Sequence, residues 1–158
     1  MDLELTASTG EVHRLKSEYV EAIGIQTQLV RDIPRESQTS TLALTLGNMA
    51  QNEVEISGSG HTARMNIHKA RTLSKALGHL KLVNWCDSME AALNMREGAL
   101  QAAKASLQKC ATVAWARDPE VTTYCLGRLA ESDATTNDPS SRWPMVFLAY
   151  SLDRKSVV

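Results

Sequence analysis

His68 stands among Arg64, Arg71, Lys75 and His79 at helical intervals, in a stretch from Ile56 to Cys86 that contains no Asp or Glu. On a helix, spacings of three and four residues put these side chains on one face. Ala70, Leu73, Leu77 and Leu80 fall on the other, so the pattern is that of a half-buried helix turning its cations and two imidazoles to solvent. An exposed histidine ringed by positive charge suits an anionic partner, with a phosphoryl group or a nucleic-acid backbone in front.

The elements that must carry this face are expected to be helices. A chain of 158 residues fits one domain and buries roughly 70% of its unfolded surface on folding, so it needs no covalent staples. At 43% hydrophobic and 22% charged residues it is too apolar for a disordered chain. Aromatics are only 4%, and a core of Ala, Leu and Met suits packed helices better than a β-sandwich. The net charge of −1 provides no global field toward nucleic acid or anionic lipid, so any such binding has to come from a local patch. Cys86, Cys110 and Cys125 are too few and too scattered for a disulfide framework, form no C-x-x-C pair, and read as buried thiols in a reducing compartment. Met1-Asp2-Leu3-Glu4-Leu5 is acidic and unlike a signal peptide, and the run from Met145 to Tyr150 is far short of a membrane span. The expectation is a cytoplasmic protein with no membrane partner.

Ser8-Thr9-Gly10-Glu11 has the form of a capping box and opens a run with Val12, Leu15, Tyr19, Ile23 and Val30 at helical spacing, which Pro34 should end. A second helix is expected from about Ser37 to about Asn52, with Leu42, Leu46 and Met49 inward. Ser57-Gly58-Ser59-Gly60 separates it from the basic helix, which begins near Thr62 and breaks at Leu77-Gly78-His79. The apolar phase then shifts to Leu82, Cys86, Met89 and Leu93. Gly98 marks another joint, after which Leu100, Ala103, Leu107, Cys110 and Ala114 form a stripe that Asp118-Pro119 stops. A shorter helix from Glu120 to Ala130 and a polar, turn-forming segment from Ser132 follow. No internal repeat is visible, and no second domain is needed. The fold class expected is all-α: an antiparallel four-helix bundle with an additional helix, one domain over 1–158 with its core at about 9–131 and a loop-rich, variable C-terminal tail at 132–158.

The run Ile67-His68-Lys69-Ala70-Arg71-Thr72, followed by Leu77-Gly78 and then by Leu82 and Cys86 with Met89 and Glu90 beyond, resembles the histidine phosphotransfer domain family of multistep phosphorelays. The likeness in motif covers about 30 residues, and the flanking helices match only in number and order. Thr72 stands where glycine is commonest in that family, and Leu73 where a small residue is usual. The resemblance implies that His68 relays a phosphoryl group between receiver-domain aspartates, with Arg71 and Lys75 as electrostatic support. Arg64, Lys69, Thr72, Gly78 and His79 would then shape the docking surface. It implies no cofactor in this chain, since magnesium belongs to the receiver domain, and no metal site. The partner would be a response-regulator receiver domain or a hybrid kinase. An imidazole can take a phosphoryl group only if a ring nitrogen is unprotonated and exposed, and in-line transfer is assisted mostly by positioning and by cations around the spread negative charge.

Two other readings use the same residues. The basic face of residues 64–81 can bind nucleic acid, with Arg64, Lys69, Arg71, Lys75 and Lys81 tracking a backbone, though Trp85 is the only aromatic nearby. Behind these stands an interaction protein that uses this face or buries a partner helix in its bundle, the latter marked by an exposed apolar patch. Free-standing enzyme chemistry has less in its favour: no nucleophile elbow, P-loop or dinucleotide fingerprint occurs. Trp85, Trp115 and Trp143 each lie in an apolar neighbourhood and read as core or hinge anchors.

Overall fold

Two glycines with left-handed backbone set the joints of the chain. The computed structural model describes residues 10, 18–34, 39–56, 60–115 and 117–135, and the regular structure among them is entirely α-helical. The helices are α1 (Tyr19–Asp32), α2 (Ser40–Glu55), α3 (Gly60–Ala76), α4 (Leu80–Arg96), α5 (Leu100–Ala114) and α6 (Pro119–Thr135). After α3, Gly78 takes φ +73°, the His79 amide donates to the Ser74 carbonyl at 2.8 Å, and the Gly78 amide donates to that of Lys75 at 3.2 Å. After α4, Gly98 takes φ +91° and the Ala99 and Gly98 amides return to Asn94 and Met95 in the same way. This pair of bonds is the Schellman stop, which ends a helix and turns the chain within three residues. The breaks expected at Gly78 and Gly98 are therefore both present.

Helix starts are equally local. Thr39 accepts a hydrogen bond from the Leu42 amide at 3.2 Å and so opens α2. Asp118 accepts from the Val121 amide at 3.3 Å, and Pro119 occupies the first helical position, where a missing N–H costs nothing. Asp118-Pro119 thus starts α6 as well as stopping α5. Four consecutive helices open at Ser40, Gly60, Leu80 and Leu100, one every twenty residues, and α1 and α6 depart from that period by a single residue. The recurrence lies in helix length and turn position rather than in side-chain identity, which is why residue types alone show no repeat.

The described residues fall in two compact units, Met1–Met89 and Glu90–Val158. In the first, α2 packs against both α1 and α3 and is buried on most of its circumference, including Ala43, Leu46, Met49, Ala50 and Val54. Ala22 and Leu29 of α1, Ala63, Ile67 and Ala70 of α3, and Cys86 and Met89 of α4 complete this core. Leu82 comes so near α2 that a Cβ on Gly47 would lie 3.2 Å from its Cδ1. In the second unit α5 packs on α6 through Ala103, Leu107, Cys110, Ala114, Val121, Cys125 and Leu129. Lys104 and Asp133 form an ion pair of 2.6 Å across the same two helices. Cys86, Cys110 and Cys125 are free thiols buried in these cores, as small hydrophobes would be.

Several expectations move. The buried stripe of α1 is Ala22, Gln26, Leu29 and Ile33, whereas Tyr19, Ile23 and Val30 are half-buried. α2 runs three residues past Asn52, and α6 extends to Thr135, so residues 132–135 are helical rather than tail. The Ser8–Glu11 capping box, Gly10 apart, and the tail beyond Thr135 lie outside the described residues. Trp115 is 47% exposed and is not a core anchor.

Polar groups join the first unit's helices from inside. Asn52 donates its amide to Gln26 Oε1 at 2.9 Å, linking α2 to α1. Asn66 donates to both carboxylate oxygens of Glu53, at 2.9 and 3.1 Å, linking α3 to α2. All four side chains are buried, so removing one partner strands the other away from water at a cost of about 1–3 kcal/mol. Burial lifts the Glu53 carboxyl above its ordinary 4.5, and the Asn66 hydrogen bond only partly opposes this.

Two consequences are measurable by chemical denaturation. Gly24 is exposed inside α1, and a methyl group added there would have nothing within 4 Å, so Gly24→Ala stabilises by about 0.5–1 kcal/mol, whereas Gly78→Ala at positive φ destabilises by about 1 kcal/mol. For Glu53, a carboxyl raised in the folded state contributes stability that is complete below its ordinary value and is lost as pH climbs through the folded one. Glu53→Gln, which keeps an acceptor for Asn66, should match wild type in acid and gain on it progressively toward neutral pH.

Candidate functional site

α3 turns a wide polar arc to solvent because its inward side is made of small and hydrogen-bonded residues. Ala63, Asn66, Ile67, Ala70 and Ser74 are buried, and Ser74 satisfies its hydroxyl by donating to the Ala70 carbonyl at 2.6 Å. At about 100° per residue these five define one side of the helix, and His61, Met65, His68, Lys69, Thr72 and Lys75 lie exposed on the other. The inward face is therefore centred on Ile67 and Ala70, not on the expected run Leu73, Leu77 and Leu80. Leu73 and Leu77 are half-buried, and Leu80 is 78% exposed because α3 ends at Ala76 and Leu80 begins the next helix.

The candidate residues divide into two groups. His68, Lys69, Thr72 and Lys75 come together on the exposed arc, with Arg64 half-buried at its shoulder. Arg71 is drawn to α4 instead: its Nε lies 2.9 Å from Asp87 Oδ1, and a terminal guanidinium nitrogen donates to the Cys86 carbonyl at 3.5 Å. The Nε–H itself makes no aligned hydrogen bond, so at this nitrogen the contact with Asp87 is electrostatic. His79 sits beyond the end of α3, where its Nε2 is 2.7 Å from Ser40 Oγ. Gly78 shapes the turn and brings no side chain to the face.

No family model matches the chain. Nor does any curated protein or solved structure.

The chemistry open to this arc is electrostatic. Lys69 and Lys75 offer two ammonium groups, and His68 and Thr72 add hydrogen-bonding groups between them, which suits the capture of carboxylate or phosphoryl oxygens. Among the described residues no group of three or more His, Cys, Asp and Glu side chains could hold a metal ion. The residue that motif spacing overlooks is Asp87. It follows directly on the acid-free stretch, and a hairpin folded about Gly78 brings it level with Arg71; assuming that hairpin would have been enough to find it. In the second unit, burial holds the Tyr124 phenol protonated well above the usual tyrosine range, and Arg128 stacks over its ring at 5.0 Å.

The Arg71–Asp87 pair is partly exposed, at 18% and 49%, so solvent screening limits it to about 0.2–1 kcal/mol. Asp87→Asn should lower stability by no more than that. The same variant removes a negative charge beside the arc, so its elution from a sulfated polyanion column should shift to higher salt than wild type.

Proposed function

We propose that this chain is a protein-binding helical module, built from successive helical hairpins, that uses the outer face of α3 to dock an acidic segment of a partner. The observation that carries the reading is the composition of that face: His68, Lys69 and Lys75 are exposed together with no carboxylate beside them on α3, while Arg71 is turned to α4 and paired with Asp87. The twenty-residue spacing of the helix starts supports the hairpin arrangement, as does the packing of α2 on α1 and α3 in the first unit and of α5 on α6 in the second, because helices joined by tight turns and packed on chain neighbours are the building plan of helical-repeat proteins. Such modules present helix faces as docking surfaces, and function resides in what those faces bear. A protein partner fits better than a nucleic acid. Two exposed ammonium groups on a chain of net charge −1 neutralise few phosphates, whereas one acidic helix or loop can be matched by this much charge.

A second reading is favoured by the exposure of His68 itself. An accessible imidazole flanked by Lys69, Thr72 and Lys75 meets the steric condition for accepting a phosphoryl group from a receiver-domain aspartate, and the reading would have the helices of the chain form an antiparallel four-helix bundle of the histidine phosphotransfer kind. Arg71 would contribute less support there than its spacing implies, because Asp87 engages it.

The two readings separate cleanly. A fluorescent glutamate-rich peptide should bind the wild-type chain and lose about tenfold or more in affinity, some 1.4 kcal/mol, in Lys69→Glu/Lys75→Glu. Affinity unchanged by the double reversal overturns the docking face. Incubation with a phosphorylated receiver domain that leaves acid-labile, alkali-stable label, absent in His68→Gln, would establish the phosphotransfer reading instead.

A further inference from the structure

The second unit carries an open apolar groove of about 370 Å³ between α5 and α6, lined by Gln108, Ala111, Thr112, Trp115, Leu126 and Leu129. Trp115, 47% exposed, contributes a large apolar side chain to that lining. We infer that the groove is the seat of the chain's own segment Trp143–Leu152, which docks on α5 and α6 within the second unit. This inference is independent of the docking function assigned to α3.

Three observations select this occupant. First, from Trp143 to Leu152 the sequence holds no charged residue, and it contains Trp143, Tyr150 and the single phenylalanine of the protein, Phe147. A segment of this kind is costly to leave in water and complements an apolar cleft. Second, it lies within reach. α6 ends at Thr135, eight residues before Trp143, and eight extended residues span at most about 26–29 Å. Leu129 and Leu126 stand only about 9 and 14 Å back along α6 from that end. The connecting residues, Thr136 to Arg142, are polar and turn-forming, as a reversal of the chain needs. Third, the helices begin about every twenty residues, so a further element is due near residue 139 after the start of α6 at Pro119, and the segment begins within about one helical turn of that position. Pro144 suits the first turn of a helix, and Met145, Leu148, Ala149 and Leu152 then share one face while Trp143, Phe147 and Tyr150 share the other. A groove between two helices is the surface onto which the next helix of a repeat array packs.

Hydrogen exchange on the full chain, read by mass spectrometry, tests this. Amides of 143–152 should exchange at least about tenfold more slowly than in the free peptide of the same sequence. That protection should be lost both in Thr112→Asp/Trp115→Asp, which charges two exposed groove residues, and in Phe147→Asp/Leu148→Asp, which charges both faces of the segment. Protection of α5 and α6 retained in these variants shows that the unit still folds. Free-peptide exchange in the wild type overturns the inference, as does protection that survives the groove variant. Protection that grows with protein concentration overturns it too, since the occupant would then be a second copy of the chain.

Discussion

The left-handed residue at Gly78 is the constraint on which the first unit depends. By closing the end of α3 onto Ser74 and Lys75 it fixes where α4 begins, and hence which residues of the two helices stand level. Arg71 meets Asp87 for that reason. Leu80 and His79 are taken out of α3 for the same reason, one to open the next helix and the other to approach Ser40. A turn built on one glycine thus sorts a row of evenly spaced side chains into those that face solvent and those engaged elsewhere.

That sorting gives α3 two kinds of positive charge. Lys69 and Lys75 project from the outer side, where nothing on their own helix neutralises them and where bulk water keeps their field short. Arg71 leans on α4 and is matched to a carboxylate, so it serves the fold more than a ligand. A face built this way recognises charge weakly at each contact and gains selectivity from the geometry of several contacts at once.

Much of this architecture was legible in the residues, and the misses have physical causes. The all-helical class followed from a core poor in aromatics, and both glycine stops were visible because a left-handed turn tolerates little else. The stripe Ala103, Leu107, Cys110 and Ala114 was readable because α5 is amphipathic in the ordinary sense. α3 misled because it buries Asn66 and Ser74 while leaving Met65 out, an inversion that periodicity of apolar residues cannot show. Of the site, the exposure of His68, Lys69, Thr72 and Lys75 was foreseeable, but the diversion of Arg71 and His79 was not. It depends on contacts to α4 and α2, and those depend on the hairpin rather than on spacing within one helix.

The hydrogen bonds from Asn66 to Glu53 and from Asn52 to Gln26 have a consequence for how the helices can move. Hydrophobic side chains of similar size let two helices slip by a turn, about 5.4 Å, with little change in buried area. A buried carboxylate resists it, because slipping by a turn takes the charge away from the Asn66 amide that satisfies it. The two pairs act as pins at successive interfaces, so that α1, α2 and α3 share one alignment along their axes, and the residues on the outer side of α3 keep a fixed height relative to the helices behind them.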